Sequence, residues 1–428
     1  MNRHVDIYMP AHVLGRGRSD TGEDTLVGRA FFSTAPKGIS TTFRYDTSYL
    51  ANRGSFALDP ALDLFEGGHA TADGLPYCFT DCAPDRWGRN LISKRLRAAD
   101  LEAGRTPRTV TDVDYLLGVT DLTRQGALRF TEPDAGPDGP YLAVDPGIPK
   151  LLELPRLMRA AERVEDSGVD EGLDAVKELL DAGTGSLGGA RPKASVRDGA
   201  RLVVAKFSSP RDDWDVIAWE KTALDLAERA GLRVPTRSLA RVEGKSVLLL
   251  DRFDRTENGA RIPYVSAMTL LTARDGASDQ FDYIDLAETL AEHGSTTIDS
   301  DLVELWKRVL FSVVIHNTDD HLRNHGFIRG IGGWTLSPLF DVNPNPDIGA
   351  QRHVSIGTAH ARDDELEGLR VAAPSFGLSR SDAERALSDM FDATQQWREV
   401  AASNGVTNKE MTLMADTFDG LRPPRRAV

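Results

Sequence analysis

An apolar helical segment that runs directly into a polar loop constrains the fold of this chain more than any other feature. Its apolar residues recur at steps of three and four, which is the spacing of a buried helix face. Within residues 302–315 they are Val303, Trp306, Val309, Leu310 and Val313. The next residues, 316–326, read His-Asn-Thr-Asp-Asp-His-Leu-Arg-Asn-His-Gly. The pattern predicts a buried helix that delivers a loop of ionisable groups to one end of a helical domain.

The polar loop and the segment after it carry the groups that phosphoryl transfer needs. Two short strands, predicted at 326–328 and 334–336 around a Gly-rich turn, separate the loop from Asp341. In phosphoryl transfer one carboxylate orients and deprotonates the attacking hydroxyl, while an amide oxygen and a second carboxylate hold Mg²⁺ against the phosphates. We therefore assign Asp319 as the base, and Asn324 and Asp341 as ligands of Mg²⁺.

Two other interpretations of this loop stand beside the first. Asp and Asn are common loop residues that cap helices and form turns, so each of the three could have a purely structural use. The loop also holds His316, His321 and His325, and imidazoles with a carboxylate suit zinc. Zinc is the weaker alternative, because the rest of the chain supplies segments that suit a phosphoryl-transfer enzyme, described below, and no other zinc ligands.

Length, charge and cysteine usage restrict the class of protein. A chain of 428 residues is long enough for two or three domains, and its two cysteines are too few for a disulfide framework. The sequence has no apolar run of membrane-spanning length and no basic-then-apolar start, which predicts a cytoplasmic protein. The net charge of −14 argues against broad nucleic-acid binding by this chain alone, although DNA contact through a partner remains compatible with it.

The order of predicted elements divides the chain into four parts. Residues 1–130 show short strands at 4–9, 26–32 and 41–45 and, in residues 77–96, a helix whose apolar face packs inward. They are predicted to form a separate α+β subdomain. The Pro- and Gly-rich residues 131–149 are predicted to be a linker or long loop. Residues 150–255 are predicted to be a β-rich N-lobe, and residues 256–428 a mostly helical C-lobe. The predicted fold class is thus α+β, a two-lobed protein-kinase-like fold with an additional N-terminal subdomain.

A Gly-rich segment precedes a lysine inside an apolar strand. Residues 183–193 read Gly-Thr-Gly-Ser-Leu-Gly-Gly-Ala-Arg-Pro-Lys, and glycines let backbone N–H groups approach phosphates closely. The segment lacks the context of a dinucleotide fold and the Gly-Lys-Ser/Thr of a Walker A loop, so a flexible turn is the alternative. A hairpin is predicted next, with strands at 194–197 and 201–207 around the turn Asp198-Gly199. Lys206 lies in its second strand. In a protein kinase such a lysine contacts nucleotide phosphates. The structural alternative is that the aliphatic part of the Lys206 side chain packs in the strand while its ammonium group extends to solvent.

Two further segments fit the nucleotide site of a kinase. The amphipathic helix predicted from residue 216 to residue 230 carries Glu220, which would pair with Lys206 as a kinase helix glutamate does; a surface glutamate is the alternative. Residues 251–255, Asp-Arg-Phe-Asp-Arg, follow a second predicted hairpin. This is the position of the kinase hinge, where backbone groups at Asp251 would bind the adenine and Phe253 would pack on it.

Taken together, these segments resemble the HipA family. Its members are bacterial serine/threonine kinases, the toxins of HipA–HipB toxin–antitoxin systems. The matching segments are residues 79–89, 186–193, 250–255, 317–324 and 340–343, together with Lys206. The likeness runs over most of the chain, and the order of the motifs is more specific than any one of them.

The resemblance implies functions for particular residues. Lys206 and the Gly-rich loop, with Gly185, Ser186, Gly188 and Gly189, would bind ATP. Asp319 would be catalytic, and Asn324 with Asp341 would hold Mg²⁺. Ser186 matches the serine that the family autophosphorylates, which ejects the loop and stops ATP binding.

The resemblance also implies partners. Family members phosphorylate aminoacyl-tRNA synthetases, and they bind a small helix-turn-helix antitoxin that brings them to operator DNA. Two features depart from the family pattern: Asp251 stands where we expect Glu, and Asp320 adds a carboxylate beside Asp319.

Three functions follow from these observations. We favour a toxin-type protein kinase. The second is a kinase-like enzyme for a small alcohol or lipid head group, which would share the site and differ only in its acceptor surface. The third is a catalytically dead repression partner of an antitoxin, and the intact Lys206, Asp319, Asn324 and Asp341 argue against it.

Overall fold

A computed structural model describes residues 2–14, 23–35, 38–84, 86–143, 147–166, 173–181 and 191–421. Contacts within the chain divide it into two compact units. Unit 1 comprises Met1–Arg211, Val242–Gly244 and Asp251–Val265. Unit 2 comprises Asp212–Arg241, Lys245–Leu250 and Ser266–Val428. The first unit is built on a sheet and the second mostly on helices.

A five-stranded sheet in the order β4-β3-β2-β1-β5 organises unit 1, and its paired strands are antiparallel. The strands are β1 (Asn2–Met9), β2 (Thr25–Ala35), β3 (Gly38–Tyr45), β4 (His69–Thr71) and β5 (Arg129–Thr131). Burial alternates along β3, as expected for a sheet with one face on the core. The strands predicted near residues 4–9, 26–32 and 41–45 are therefore confirmed.

Unit 1 also contains helices. They are α1 (Ala11–Leu14), α2 (Thr47–Leu50), α3 (Tyr77–Cys82), α4 (Arg86–Glu102), α5 (Asp112–Gly118), α6 (Leu154–Asp166) and α7 (Leu173–Asp181). Phe79 of α3 sets its ring edge-on to Phe43 and Phe130 of the sheet, at centroid distances of 5.9 and 5.5 Å. Such edge-to-face contacts add to the area that the rings bury. The apolar face of the predicted helix region around residues 79–96 thus packs inward.

The segment predicted as a linker packs against the sheet of unit 1 over residues 131–143. The backbone N–H of Asp134 donates to the Asp6 carboxylate at 2.9 Å. The Arg129 guanidinium lies 3.5 Å from the centroid of the Tyr141 ring. This part of the chain is therefore a loop fixed to the sheet, while the domain boundaries drawn from the sequence stay predictions.

A hairpin of β6 (Lys193–Asp198) and β7 (Arg201–Phe207) also belongs to unit 1. Gly199 takes a φ of +60° in its turn, a conformation that glycine adopts without steric cost. The register places Lys193 directly opposite Lys206. The hairpin predicted around Asp198 and Gly199 is confirmed.

Unit 2 is mostly helical. Its helices are α8 (Val216–Arg229), α9 (Ala267–Leu270), α10 (Tyr283–His293), α11 (Ile298–Val314), α12 (Arg362–Ala372), α13 (Arg380–Thr394), α14 (Trp397–Ser403), α15 (Asn408–Leu413) and α16 (Ala415–Asp419). The remaining strands of the chain are β8 (Arg237–Val242), β9 (Lys245–Asp251), β10 (Tyr264–Ser266), β11 (Gly326–Arg329) and β12 (Trp334–Leu336). The two predicted strands around the Gly-rich turn at 330–333 pair antiparallel as β11 and β12.

The buried helix α11 forms the centre of unit 2. Its apolar residues Leu305, Trp306, Leu310 and Phe311 have no exposed surface, and the Trp306 indole N–H donates to the Leu369 carbonyl at 3.0 Å. Within the described ranges no helix is long and apolar enough to cross a bilayer. The predicted helix over 302–315 is confirmed, and it delivers the polar loop that begins at His316.

Candidate active site

The C-terminus of α11 is tied to the start of the polar loop. His316 takes a φ of +50°, a left-handed conformation that turns the chain out of the helix. The N–H of Asn317 donates to the Ser312 carbonyl at 2.8 Å, and the Ser312 hydroxyl donates back to the Asn317 carbonyl at 3.0 Å. These bonds satisfy groups that a helix end leaves without intrahelical partners. The loop therefore starts from a fixed point.

The segment that follows Asp341 holds the same loop from the side. The N–H of Asn345 donates to the His316 carbonyl at 3.1 Å, and its amide group donates to the Thr318 hydroxyl at 2.7 Å. The Thr417 hydroxyl donates to the Asn345 carbonyl at 3.0 Å. The loop of Asp319 and the segment of Asp341 are thus joined by hydrogen bonds within unit 2, as the prediction of one site requires.

Asp319 and Asn324 are brought together by a side chain-to-backbone bond. The amide nitrogen of Asn324 donates to the Asp319 carbonyl at 2.9 Å, and the Asn324 side chain is buried while that of Asp319 is exposed. With its nitrogen committed to that carbonyl, the amide presents its oxygen to other groups. Oxygen is the atom that a magnesium ligand must offer.

Local desolvation and the negative charge of Asp341 raise the pKa of the Asp319 carboxyl above its usual value. The imidazoles of His321 and His353 act in the opposite direction. A raised pKa is typical of a carboxyl group that exchanges protons in a reaction, although ion-pair networks also perturb pKa values. The charge of Asp341 thus acts on the ionisation of Asp319.

Asp341 is held in an unfavourable backbone conformation. Its φ of +57° is left-handed, which is uncommon for a residue with a side chain and costs free energy that surrounding contacts must offset. Its side chain is half-buried. Such conformations cluster at functional sites, which agrees with the role predicted for Asp341.

Asp320 turns away from Asp319 and into the protein. Its carboxylate accepts from the Tyr283 hydroxyl at 2.7 Å and lies 3.0 Å from the His325 Nε2 and 3.5 Å from an Arg352 guanidinium nitrogen. Burial opposes ionisation, yet the charges and hydrogen bonds of His325 and Arg352 hold the pKa of Asp320 well below its usual range. The structure thus explains the residue whose effect the sequence leaves open: Asp320 is part of a buried charge network.

Arg352 extends this network to the helices. Its guanidinium donates to the Glu365 carboxylate at 2.7 Å and to the Ser312 hydroxyl at 3.0 Å. The sequence motifs do not identify Arg352 or Glu365. The one sequence signal for a buried arginine is the alternation of residues 352–356, Arg-His-Val-Ser-Ile, in which Arg352 shares its side with Val354 and Ile356.

Two of the three histidines of the loop, His316 and His325, contact other protein groups. The His316 Nε2 lies 3.0 Å from the Asp347 carbonyl, and the His325 Nε2 contacts Asp320. Among the residues that the structure describes, no group of three or more His, Cys, Asp or Glu side chains could hold a metal ion. The metal donors predicted for this loop and for the segment after β12 are the Asn324 amide oxygen and the Asp341 carboxylate. This oxygen set suits Mg²⁺, which keeps several of its waters, better than zinc.

In unit 1 the predicted phosphate-binding lysine lies on the hairpin. Lys206 is 8% exposed and its cross-strand neighbour Lys193 is 3% exposed. The two lysines thus stand directly opposite each other on the two strands of the hairpin. In unit 2 Glu220 lies on α8 and is buried, which excludes the surface alternative, while its pairing with Lys206 stays a prediction.

The predicted hinge segment is anchored by buried arginines within unit 1. The Asp254 carboxylate accepts from Arg252 at 2.6 and 2.8 Å, from Arg255 at 2.8 Å and from the Gly126 N–H at 2.8 Å. Asp251 accepts from Arg201 at 2.9 Å, and the Phe253 ring lies 5.9 Å from that of Tyr264. Contact of Asp251 and Phe253 with adenine stays a prediction.

Four predicted residues of the Gly-rich loop lie outside the described residues. They are Gly185, Ser186, Gly188 and Gly189. Their roles in ATP binding, and that of Ser186 as a phosphorylation site, stay predictions.

Two family models match the sequence. The model of the HipA N-terminal domain matches residues 23–106, and the model of the HipA-like C-terminal domain matches residues 185–398. The chain belongs to the HipA family. The resemblance predicted from its motifs is confirmed. Among proteins with curated descriptions none matches this sequence.

Two solved structures are similar to this chain. HipA from Shewanella oneidensis MR-1, in a complex of HipA, HipB and operator DNA, is 15% identical with a TM-score of 0.63. That match covers 97% of this chain and 95% of the Shewanella HipA chain. The Helicobacter pylori proinflammatory kinase CtkA is also 15% identical; the match covers 51% of this chain and 95% of CtkA, with a TM-score of 0.34. The Shewanella match confirms the predicted α+β fold of the HipA type.

Proposed function

We propose that this chain is an ATP- and Mg²⁺-dependent serine/threonine protein kinase of the HipA toxin type. One observation carries the proposal: an exposed Asp319 carboxylate stands on a fixed loop, with Asn324 bonded to its backbone and the charge of Asp341 beside it. A base near the acceptor and two oxygen ligands for a metal are the parts that phosphoryl transfer uses. Membership in the HipA family favours phosphoryl transfer over a purely structural role for these residues.

Each residue has a distinct role in the proposed reaction. Asp319 orients the acceptor hydroxyl and takes its proton, while the Asn324 amide oxygen and the Asp341 carboxylate would hold Mg²⁺. The metal, when bound, neutralises charge on the phosphates. Lys206 contacts the phosphates from the strand β7, and Lys193 lies at the paired position on β6. Glu220 would orient Lys206, and the segment of Asp251 and Phe253 would bind the adenine.

Control and partners follow from the family. Phosphorylation of Ser186 by the protein itself would place charge in the loop that covers ATP and so switch the enzyme off. An aminoacyl-tRNA synthetase is the proposed substrate. A small helix-turn-helix antitoxin is the proposed partner and would supply the contact with operator DNA, since the net charge of −14 does not favour direct binding.

Calorimetric titration of ATP tests the proposal. Protein unphosphorylated at Ser186 is expected to bind ATP, and more tightly with Mg²⁺ present than without it. Asp341→Ala should weaken the Mg²⁺-dependent part of the affinity, because it removes a charged metal ligand, whereas Asp319→Ala should keep it. If the unphosphorylated wild type binds no ATP in either condition, the proposal is wrong. Offering protein and small-alcohol acceptors in parallel then separates a protein kinase from a small-molecule kinase.

A further inference from the structure

Two dipeptides far apart in sequence lie side by side next to the base. Asp320 and Arg352 face inward and contact each other at 3.5 Å, and both are almost fully buried. Their neighbours, Asp319 and His353, are both exposed. Because Asp319 and His353 directly adjoin these two contacting residues in sequence, their exposed side chains lie on the surface close to the buried Asp320–Arg352 pair.

The segment that carries His353 is held firmly. The N–H of Arg352 donates to the His360 carbonyl at 3.3 Å, and the N–H of Ser355 donates to the Phe281 carbonyl at 3.1 Å. Val354, which follows His353, has no exposed surface. The imidazole of His353 is therefore presented to solvent from a backbone that packing and hydrogen bonds fix on both sides. A group fixed in this way is suited to positioning a substrate.

We propose that His353 is a further residue of the active site, where its imidazole contacts the phosphoacceptor group beside Asp319. The buried Asp320–Arg352 pair acts as the positioning device that sets the two outward side chains next to each other. This inference rests on the proposed kinase function and adds to it a residue on the acceptor side.

The chemistry assigns different tasks to the two outward side chains. In the transfer, a bond forms between the acceptor oxygen and the γ-phosphorus, the bond from that phosphorus to the bridging oxygen of ADP breaks, and the acceptor proton passes to Asp319. His353 does not take the proton. Its ring N–H donates a hydrogen bond to the acceptor or its flanking group. The imidazole thus orients the acceptor hydroxyl toward Asp319.

The test compares substitutions of His353 with a matched substitution in the same unit. His353→Phe removes every hydrogen bond of the ring, His353→Gln keeps a donor, and His293→Phe changes a histidine at the end of α10. Each full-length protein is given ATP labelled on the γ-phosphate, with itself and dephosphorylated casein as acceptors. ATP affinity and the midpoint of thermal unfolding are measured on the same samples.

The proposal expects His353→Phe to lower kcat/KM for the acceptor by about 10-fold to 100-fold, with a smaller loss for His353→Gln. ATP affinity and the unfolding midpoint should stay at the values of wild type and of His293→Phe. Wild-type transfer in both His353 variants would overturn the proposal. So would a loss of ATP affinity or of folded protein that accounts for the lower rate, since His353 would then be structural. A wild type that labels neither acceptor would refute the proposed kinase function itself, and this inference with it.

Discussion

Substitution of Asp254 by Asn tests whether buried charge holds the predicted hinge segment. Asp254 is 3% exposed and is the carboxylate partner of two buried guanidinium groups, those of Arg252 and Arg255. The remaining acceptors of these arginines are backbone carbonyls, such as Thr123 for Arg252 at 2.6 Å. Asn keeps the shape of the side chain but removes the charge. Two cations would then remain buried without their carboxylate.

The expected loss of stability is large because the ion pairs of Asp254 with Arg252 and Arg255 are buried away from water. Removing one partner of a buried ion pair costs about 3–5 kcal/mol, whereas an exposed pair contributes roughly 0–1 kcal/mol. The two arginines hold the pKa of Asp254 well below its usual range against the effect of burial. A depressed pKa contributes stability that is present above the unfolded value of about 3.9 and is lost as the pH falls through the folded value. The full difference in stability between wild type and Asp254→Asn is therefore expected at neutral pH.

Hydrogen exchange of the Gly126 amide is the appropriate assay, because that N–H donates to Asp254 at 2.8 Å and a chain of two units need not unfold in one step. A loss of about 3–5 kcal/mol predicts exchange roughly 10²- to 10⁴-fold faster in Asp254→Asn. The matched control is Asp198→Asn, which removes an exposed partner of Arg201 in the same unit and should change exchange less than about fivefold. Equal protection of Gly126 in wild type and Asp254→Asn would refute the reasoning.

Three further predictions concern catalysis, control and pH. Asp319→Ala and Asp341→Ala should each abolish phosphoryl transfer in a labelled-ATP assay and, if expression is toxic, restore growth; near-normal turnover in either variant would contradict the assigned roles. Active wild type should carry phosphate on Ser186 by mass spectrometry and bind ATP poorly in that form, since the group adds about −1.5 to −2 charges, while Asp319→Ala should stay unmodified. Burial lowers the pKa of His69, so its contribution to stability is present above pH ~6.5 and is lost as the pH falls. The thermal midpoint of wild type should accordingly drop more between pH 8 and pH 5.5 than that of His69→Phe, and parallel curves would disprove this assignment.

Local periodicity predicted the elements that frame the site. The spacing of apolar residues in 302–315 is a property of a single helix, so α11 could be predicted without knowledge of its partners. The β6–β7 hairpin followed from its Asp-Gly turn, and the β11–β12 hairpin from its Gly-rich turn, for the same reason. The assignment of Asp319, Asn324 and Asp341 to one region followed from their short separation along the chain. Contacts of low sequence separation are those that a sequence pattern can show.

The buried charges could not be predicted, because their partners are distant in sequence. The sequence does not distinguish Asp319 from Asp320, since both are aspartates. Only the contacts of Asp320 with Tyr283 and Arg352 show that Asp320 faces inward and Asp319 outward. The arginines of residues 252–255 were assigned to a hinge from their position, while their bonds to the carbonyls of residues 122–126 span well over a hundred residues. His353 could not be predicted as a site residue, because a single histidine in a polar segment forms no sequence pattern.

Transfer of the labelled γ-phosphate of ATP to a serine or threonine tests the central claim most directly. Wild-type protein incubated with Mg²⁺ and labelled ATP is expected to label itself or an acceptor protein, with phosphoserine or phosphothreonine recovered after hydrolysis. Asp319→Ala, with unchanged affinity for Mg-ATP, should transfer no label. The account is contradicted if wild-type protein that binds Mg-ATP labels no serine or threonine, or if Asp319→Ala transfers label at the wild-type rate.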